Sequence, residues 1–267
     1  MTAFKKQIEE ELKELDTKQI VFFAWLCGVR ALPLLGAKGH FDFWEKEKVD
    51  RHLLSLLQAL DIAYRFTVRP DESSTHVALI KIGIYAQEAA NAADAANADD
   101  EAAHYAAASI SSAAYTAFSA AEAKNLGSCT ASVCDAIVYA TETAICATEA
   151  ARRYKIDLNL IPTIHQDLSL IRDEQTNDFN HDTALYGQVW DLFQTALQDV
   201  RCEYWGKLYE WIFAKGFMLD EEDKAALERR LNVPGEVREE GALKVAHYLK
   251  NLGDDVERLN EDRSIIR

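Results

Sequence analysis

A chain of 267 residues that is 49% hydrophobic can bury a sizeable core, and 11 glycines with 4 prolines are too few for a turn-rich all-β fold. The formal charge of −15 sets up a field that repels a phosphate backbone, so no nucleic-acid partner is expected. The densest basic pairs, Arg152-Arg153 and Arg229-Arg230, sit in acidic surroundings and make no basic patch.

Helical periodicity organises the chain from its start. Ile8, Leu12 and Leu15 share one face of a short charged helix over residues 2–15. Asp16-Thr17 offers an N-cap for the next helix, over about 18–35. That helix is apolar nearly all round and should be buried. Pro33 removes a backbone donor and predicts a bend or an end. Arg30 within this apolar surface predicts a structural ion pair, because a buried charge needs a partner. The most apolar run, 21–35, contains Arg30 and Pro33 and falls short of the ~20 residues of a membrane span. No membrane partner is expected. Met1 leads into charged residues, not an apolar signal core. The five cysteines, Cys27, Cys129, Cys134, Cys146 and Cys202, show no CxxC spacing, and most fall on helix faces that read as buried. That pattern points to a reducing, cytoplasmic setting.

Residues 40–44 read as an aromatic linker that exposes Phe41, Phe43 and Trp44. A helix over about 45–66 follows, with Leu53, Leu56, Leu57, Leu60 and Tyr64 inside. Residues 69–74 read as a loop, and a helix enters near Ser73 or Ser74 and leads into Val77, Leu79, Ile80, Ile82 and Ile84. Then comes an alanine-rich run, 86–123, with 19 alanines in 38 residues. Single large residues thread it: Tyr105, Ile110, Tyr115 and Phe118. Asn97-Ala-Asp-Asp100 divides it into a helix ending near Ala96 and another over about 100–124, with Asp99 as N-cap. A third helix of the same style covers about 128–153. Alanine faces let helix backbones approach closely, and Tyr85, Tyr105, Tyr115 and Tyr139 fill the gaps that alanines leave. The spacing matches no named solenoid repeat.

From residue 157 the side chains are larger and more charged. Helices are predicted near 162–174, 182–199, 202–215, 220–231 and 234–252, with a polar loop over 175–181. Pro162 opens the first of them, and Pro234 sits in a first turn, where proline is tolerated. The acids from Asp220 to Asp223 suit a helix start. Tyr204, Trp205, Tyr209, Trp211, Phe213 and Phe217, at helical spacing, read as core. The expected fold is all-α, a multi-helix bundle or irregular helical array of about ten helices. It divides into an alanine-rich helical domain, 1–155, and a C-terminal helical region, 156–267, packed on the first.

Few residues suggest chemistry. Glu101 and His104 form an E-x-x-H pair, and Asp178 and His181 a carboxylate-x-x-His pair. Two such pairs plus two further carboxylates build the site of four-helix di-metal proteins. Glu101 equally suits a helix first turn, and 178–181 reads as loop, so no metal site is assigned. Glu101 and His104 are the candidates if one exists. Arg69 and His76 have the Arg-x6-His spacing of small helical RNases, but Pro70 and the acidic surface oppose that reading. His181-Asp182 has no matching outlying His and Asp residues. No phosphate loop, Rossmann glycine pattern or nucleophile elbow occurs. No catalytic residue and no cofactor are predicted.

Two stretches carry a resemblance. Phe23-Ala-Trp-Leu-Cys-Gly-Val-Arg-Ala-Leu-Pro-Leu-Leu-Gly36 resembles the arginine-to-LPLL helix near the start of a bacterial family, which continues through a helix like 51–64 into long Ala/Tyr/Asp helices. Glu240-Gly-Ala-Leu-Lys-Val-Ala-His-Tyr-Leu-Lys-Asn-Leu, followed by Leu259-Asn-Glu-Asp-Arg-Ser-Ile-Ile266, resembles a segment that leads into a Roco-type GTPase domain. The chain is thus similar to the alanine-rich, all-helical N-terminal module of bacterial multidomain proteins. The sequence stops at Arg267 with no phosphate loop, so GTPase chemistry is not carried over. The resemblance implies a separated module or a stand-alone relative, in a setting like the sensor and adaptor regions of bacterial defence and conflict systems.

The expected function is a non-catalytic regulatory or adaptor module that binds a protein partner or controls an effector. The expected contacts are Phe41, Phe43 and Trp44, with Lys244, His247 and Tyr248 on the C-terminal helix. Two alternatives have other chemistry. One is a metal-dependent helical enzyme or RNase built on Glu101/His104 or Arg69/His76. The other is an acidic immunity-type inhibitor that neutralises a basic toxin.

Overall fold

A computed structural model describes residues 2–73, 75–97, 100–127, 130–156, 160–173, 186–214 and 221–252. The fold is all-α, with 13 helices and no strand among the described residues. The N-terminal half holds α1 (Thr2–Leu12), α2 (Thr17–Leu35), α3 (Val49–Val68), α4 (Pro70–Ser73), α5 (His76–Asn97), α6 (Glu101–Asn125) and α7 (Thr130–Arg153). The C-terminal half holds α8 (Leu160–Arg172), α9 (Gln188–Asp199), α10 (Glu203–Ala214), α11 (Glu221–Leu231), α12 (Gly235–Glu239) and α13 (Ala242–Asn251).

The alanine-rich sequence makes α6 the axis of the bundle. Helices α2, α3, α5 and α7 all pack on it. Ala103, Ala106, Ala107, Ile110, Ala113, Ala114, Ala117 and Ala120 are fully buried. Short side chains are what allow four helices to surround one. A Cβ built on Gly28 of α2 would stand 3.4 Å from Ala113 Cβ and 3.6 Å from Ile110 Cα, so α2 and α6 meet almost backbone to backbone. The tyrosines divide into two roles. Tyr85 fills the interior, as alanine packing predicts. Tyr105, Tyr115 and Tyr139 are half-buried and seal the outer seam instead, Tyr115 stacking on Tyr139 with centroids 5.2 Å apart.

Caps fix the helix ends. Asp16 and Gln19 form a capping box at the start of α2. Asp100, not Asp99, caps α6; Asp99 lies outside the described residues. Asp100 Oδ1 accepts from the Ala102 and Ala103 amides at 3.0 and 3.1 Å. Its Oδ2 takes Lys38 at 2.6 Å and the Tyr154 hydroxyl at 3.2 Å, so one carboxylate joins the 36–39 turn, α6 and the end of α7. Burial pushes its pKa up, but Lys38 and the Ala103 amide outweigh burial and hold it below the usual carboxylate value. A carboxyl depressed in the folded state stabilises above its unfolded pKa and loses that contribution as pH falls through the folded one. Asp100→Ala should therefore cost about 1–2 kcal/mol at pH 7. Urea titrations should show the gap between wild type and variant closing below about pH 4. A gap as wide at pH 2 as at pH 7 would contradict this role.

Pro33 ends α2 within a turn: the helix stops at Leu35. By length and hydropathy α2 could cross a membrane, but 83% of its apolar window is buried inside the fold, against α3, α6 and α7. The protein interior accounts for that hydropathy. Arg30 has the ion pair its setting demands. Its Nε and Nη2 donate to Asp167 of α8 at 2.7 and 2.9 Å, with both side chains 1% exposed. Burial opposes the Arg30 charge, but Asp167 more than offsets it, so the guanidinium stays above its ordinary pKa. The Tyr186 hydroxyl donates to the Arg30 carbonyl at 2.9 Å. A second buried pair was not singled out in the sequence reading: Arg230 of α11 donates to Asp61 of α3 at 2.8 and 2.9 Å. These two pairs lock the C-terminal helices onto α2 and α3. One apolar core runs from Phe4 to Leu249, through both halves.

Several elements differ from the sequence reading: α8 begins at Leu160, ahead of Pro162, and α9 begins at Gln188, after a turn at 186–187. The 69–74 loop contains α4, because Pro70 starts a helical turn well. Residues 45–48 form a turn, and α3 begins at Val49. The 234–252 helix is broken into α12 and α13 at Gly241. Its φ of +94° favours glycine, and a Cβ there would lie 2.7 Å from Asp50 Cβ. Asp50 also accepts the Leu243 amide, so a carboxylate on α3 caps the start of α13. Tyr204, Trp205, Tyr209, Trp211 and Phe213 are buried, as expected of core; Phe217 lies outside the described residues.

Candidate docking face

The aromatic linker is not exposed. Phe41, Phe43 and Trp44 are 3%, 5% and 4% exposed and form a ring cluster with centroids 4.7 to 6.1 Å apart. Trp44 Nε1 donates to the Ala92 carbonyl of α5 at 2.9 Å. The turn that carries these rings folds back onto α5, and their hydrophobic area is spent inside the molecule. They are unavailable as contacts.

The α13 residues lie on a surface. Lys244 and His247 are exposed and Tyr248 is half-buried, while Ala242, Val245, Ala246 and Leu249 face inward. Lys244 pairs with Glu240 at 3.1 Å. His247 and Leu243 edge a groove of about 800 Å3 between α9, α10 and α13, floored by Trp190 and Tyr204. Its rim carries both signs, with Asp191, Glu210, Arg201 and Lys207, and gives no preference for a charged ligand.

The candidates for chemistry are engaged elsewhere. Glu101 pairs with Arg153, and His104 Nδ1 lies 2.9 Å from the Ala93 carbonyl. Among the described residues no group of three His, Cys, Asp or Glu could hold a metal. Arg69 reaches Glu72 at 3.4 Å, and His76 opens α5. Asp178, His181 and Asp182 lie outside the described residues. Cys27, Cys146 and Cys202 are buried, and desolvation raises all three thiol pKa values, which keeps them protonated and unreactive. Cys134 is exposed, and Cys129 lies outside the described residues. The basic pairs make no patch: Arg152 and Arg153 bind Glu149, and Arg230 is buried on Asp61.

A different surface stands out. Val77, Ile80 and Ile84 of α5 are 76%, 53% and 46% exposed. Their i, i+3, i+7 spacing places them in one row. Leu79, Ile82, Tyr85, Ala86 and Ala89 point inward. The first half of α5 is thus apolar on both faces, which the helix interior does not require. Beside the row, the Phe118 ring lies 3.3 Å from a Cβ position on Gly83, and the Tyr115 hydroxyl donates to Gln87 Oε1 at 3.2 Å. Val138 of α7, next to Tyr139, is 53% exposed. The signal was in the sequence: Val77, Ile80 and Ile84 cannot share an inward face with Leu79, Ile82 and Tyr85.

No family model matches the chain, and neither a curated protein nor a solved structure matches it.

Proposed function

We propose that this chain is a non-catalytic helical scaffold of the cytoplasm that docks a protein partner on the outer face of α5. The observation that carries the reading is the exposed aliphatic row Val77, Ile80, Ile84. Burying one such side chain yields about 1.5–3 kcal/mol. A contiguous apolar row on an otherwise acidic surface marks an interaction site more than a solubility device. The fitting partner element is an amphipathic helix whose apolar stripe lies along α5 toward Phe118 and Tyr115. Basic residues flanking that stripe would complement the −15 charge of the chain and speed the encounter. A regulatory or adaptor role, of the kind the Roco-associated resemblance implies, agrees with such a surface.

The test is a comparison of variants. Ile80→Asp/Ile84→Asp alters solvent-facing positions and should leave unfolding within about 0.5 kcal/mol per site of wild type. The partner captured from native cells by the wild type should be lost by this variant and kept by Lys244→Glu on α13. Equal capture by all three would contradict the reading. A doubled solution mass, abolished by the same aspartates, would make the partner a second copy of the chain.

A further inference from the structure

The pocket between α3, α5 and α12 differs from the grooves around it. It holds about 180 Å3. Gln58 of α3 lines it, 1% exposed, and among the described residues no group partners the Gln58 amide nitrogen. The other buried polar side chains of α3 are satisfied. Ser55 Oγ donates to the Arg51 carbonyl at 2.9 Å, Thr67 Oγ1 to the Tyr64 carbonyl at 2.7 Å, and Asp61 accepts from Arg230. A buried amide without a partner destabilises a fold, whereas an apolar side chain there would not.

The pocket walls carry both charges. Arg238 of α12 donates to the Tyr85 hydroxyl at 3.2 Å and reaches the Glu88 carboxylate only at 3.4 and 3.5 Å. Those contacts are long for a charge-assisted pair. Glu239 and Arg51 are exposed at the mouth, and Arg51 has no carboxylate partner among the described residues. Two cations and two carboxylates balance, so a ligand with net charge gains little. A ligand with both signs gains at each end.

We propose that this pocket binds a small zwitterion of the α-amino acid class. Its carboxylate takes Arg238 and the Gln58 amide, and its ammonium takes Glu88 and Glu239. The long Arg238–Glu88 contact is exchanged for two shorter ones. A turn about the soft terminal torsion of Gln58 presents its nitrogen to the ligand. A volume near 180 Å3 limits the ligand to a small side chain, since about 150 Å3 suffices for a benzene-sized molecule. The inference is independent of the α5 docking face.

The test is thermal unfolding and calorimetry of the full chain with glycine, L-alanine and L-serine, against propionate and propylamine as single-charge probes. The amino acids should raise the melting temperature, with the stabilisation growing as the logarithm of one plus the ratio of ligand concentration to Kd, and the single-charge probes should not. Gln58→Leu removes the unpartnered amide, should fold at least as well, and should weaken binding at least about tenfold. Glu239→Gln changes an exposed residue and should also weaken it. If no amino acid shifts the midpoint, or if both variants bind as wild type does, the proposal is overturned.

Discussion

Asp167→Ala should destabilise the protein by about 3–5 kcal/mol, because it removes the carboxylate that neutralises the Arg30 guanidinium in the core. Arg30 is 1% exposed, and its Nε and Nη2 donate to Asp167 at 2.7 and 2.9 Å. No deprotonation rescues an arginine, so a guanidinium without the Asp167 charge must draw in water or unpack α8 from α2. The double replacement Arg30→Met/Asp167→Leu removes both charges and keeps most of the volume. It should recover most of the loss, since buried pairs replaced by apolar side chains are often neutral. Urea unfolding of the two single variants and the double variant measures the coupling directly. If Asp167→Ala costs under about 1 kcal/mol, the pair is no lock between the two halves.

The alanine bundle makes a second large effect. Ala113→Leu should cost at least about 3 kcal/mol, at the upper end of overpacking penalties. Ala113 is fully buried, and a Cβ position on Gly28 stands 3.4 Å from its own Cβ. An isobutyl group there has no gap to enter, and α2 must move to admit it. That movement would spread, because α2 also carries the Arg30 pair and the end packed by α9. Ala95→Leu on the exposed side of α5 is the control and should stay within about 0.5 kcal/mol. Similar losses for the two would mean that alanine serves helix propensity here and not close approach.

Local pattern carried most of the architecture. Capping chemistry at Asp16, the split of the alanine run and the burial of α2 all follow from short-range rules. Arg30 could be read as needing a partner, but Asp167 lies 137 positions away and no periodicity points to it. Asp61 obeyed the same logic, an acid between Leu60 and Ile62 on an apolar helix, and its pairing with Arg230 could have been anticipated in kind. The break at Gly241 depends on Asp50 approaching from another helix, which is a tertiary fact. The linker shows the reverse failure. Phe41, Phe43 and Trp44 look exposed beside a turn, yet the turn folds onto α5 and Trp44 finds the Ala92 carbonyl. Their burial removes one expected contact surface. The α5 row supplies another, legible only when Val77, Ile80 and Ile84 are placed on the wheel separately from Leu79 and Ile82.

The most direct measurement is a photo-activated crosslinker placed at position 80 and, separately, at position 247 in native cells. The docking account predicts one discrete protein adduct from position 80, abolished by Ile84→Asp in the same chain. An adduct from position 247 on α13 with none from position 80 would contradict it.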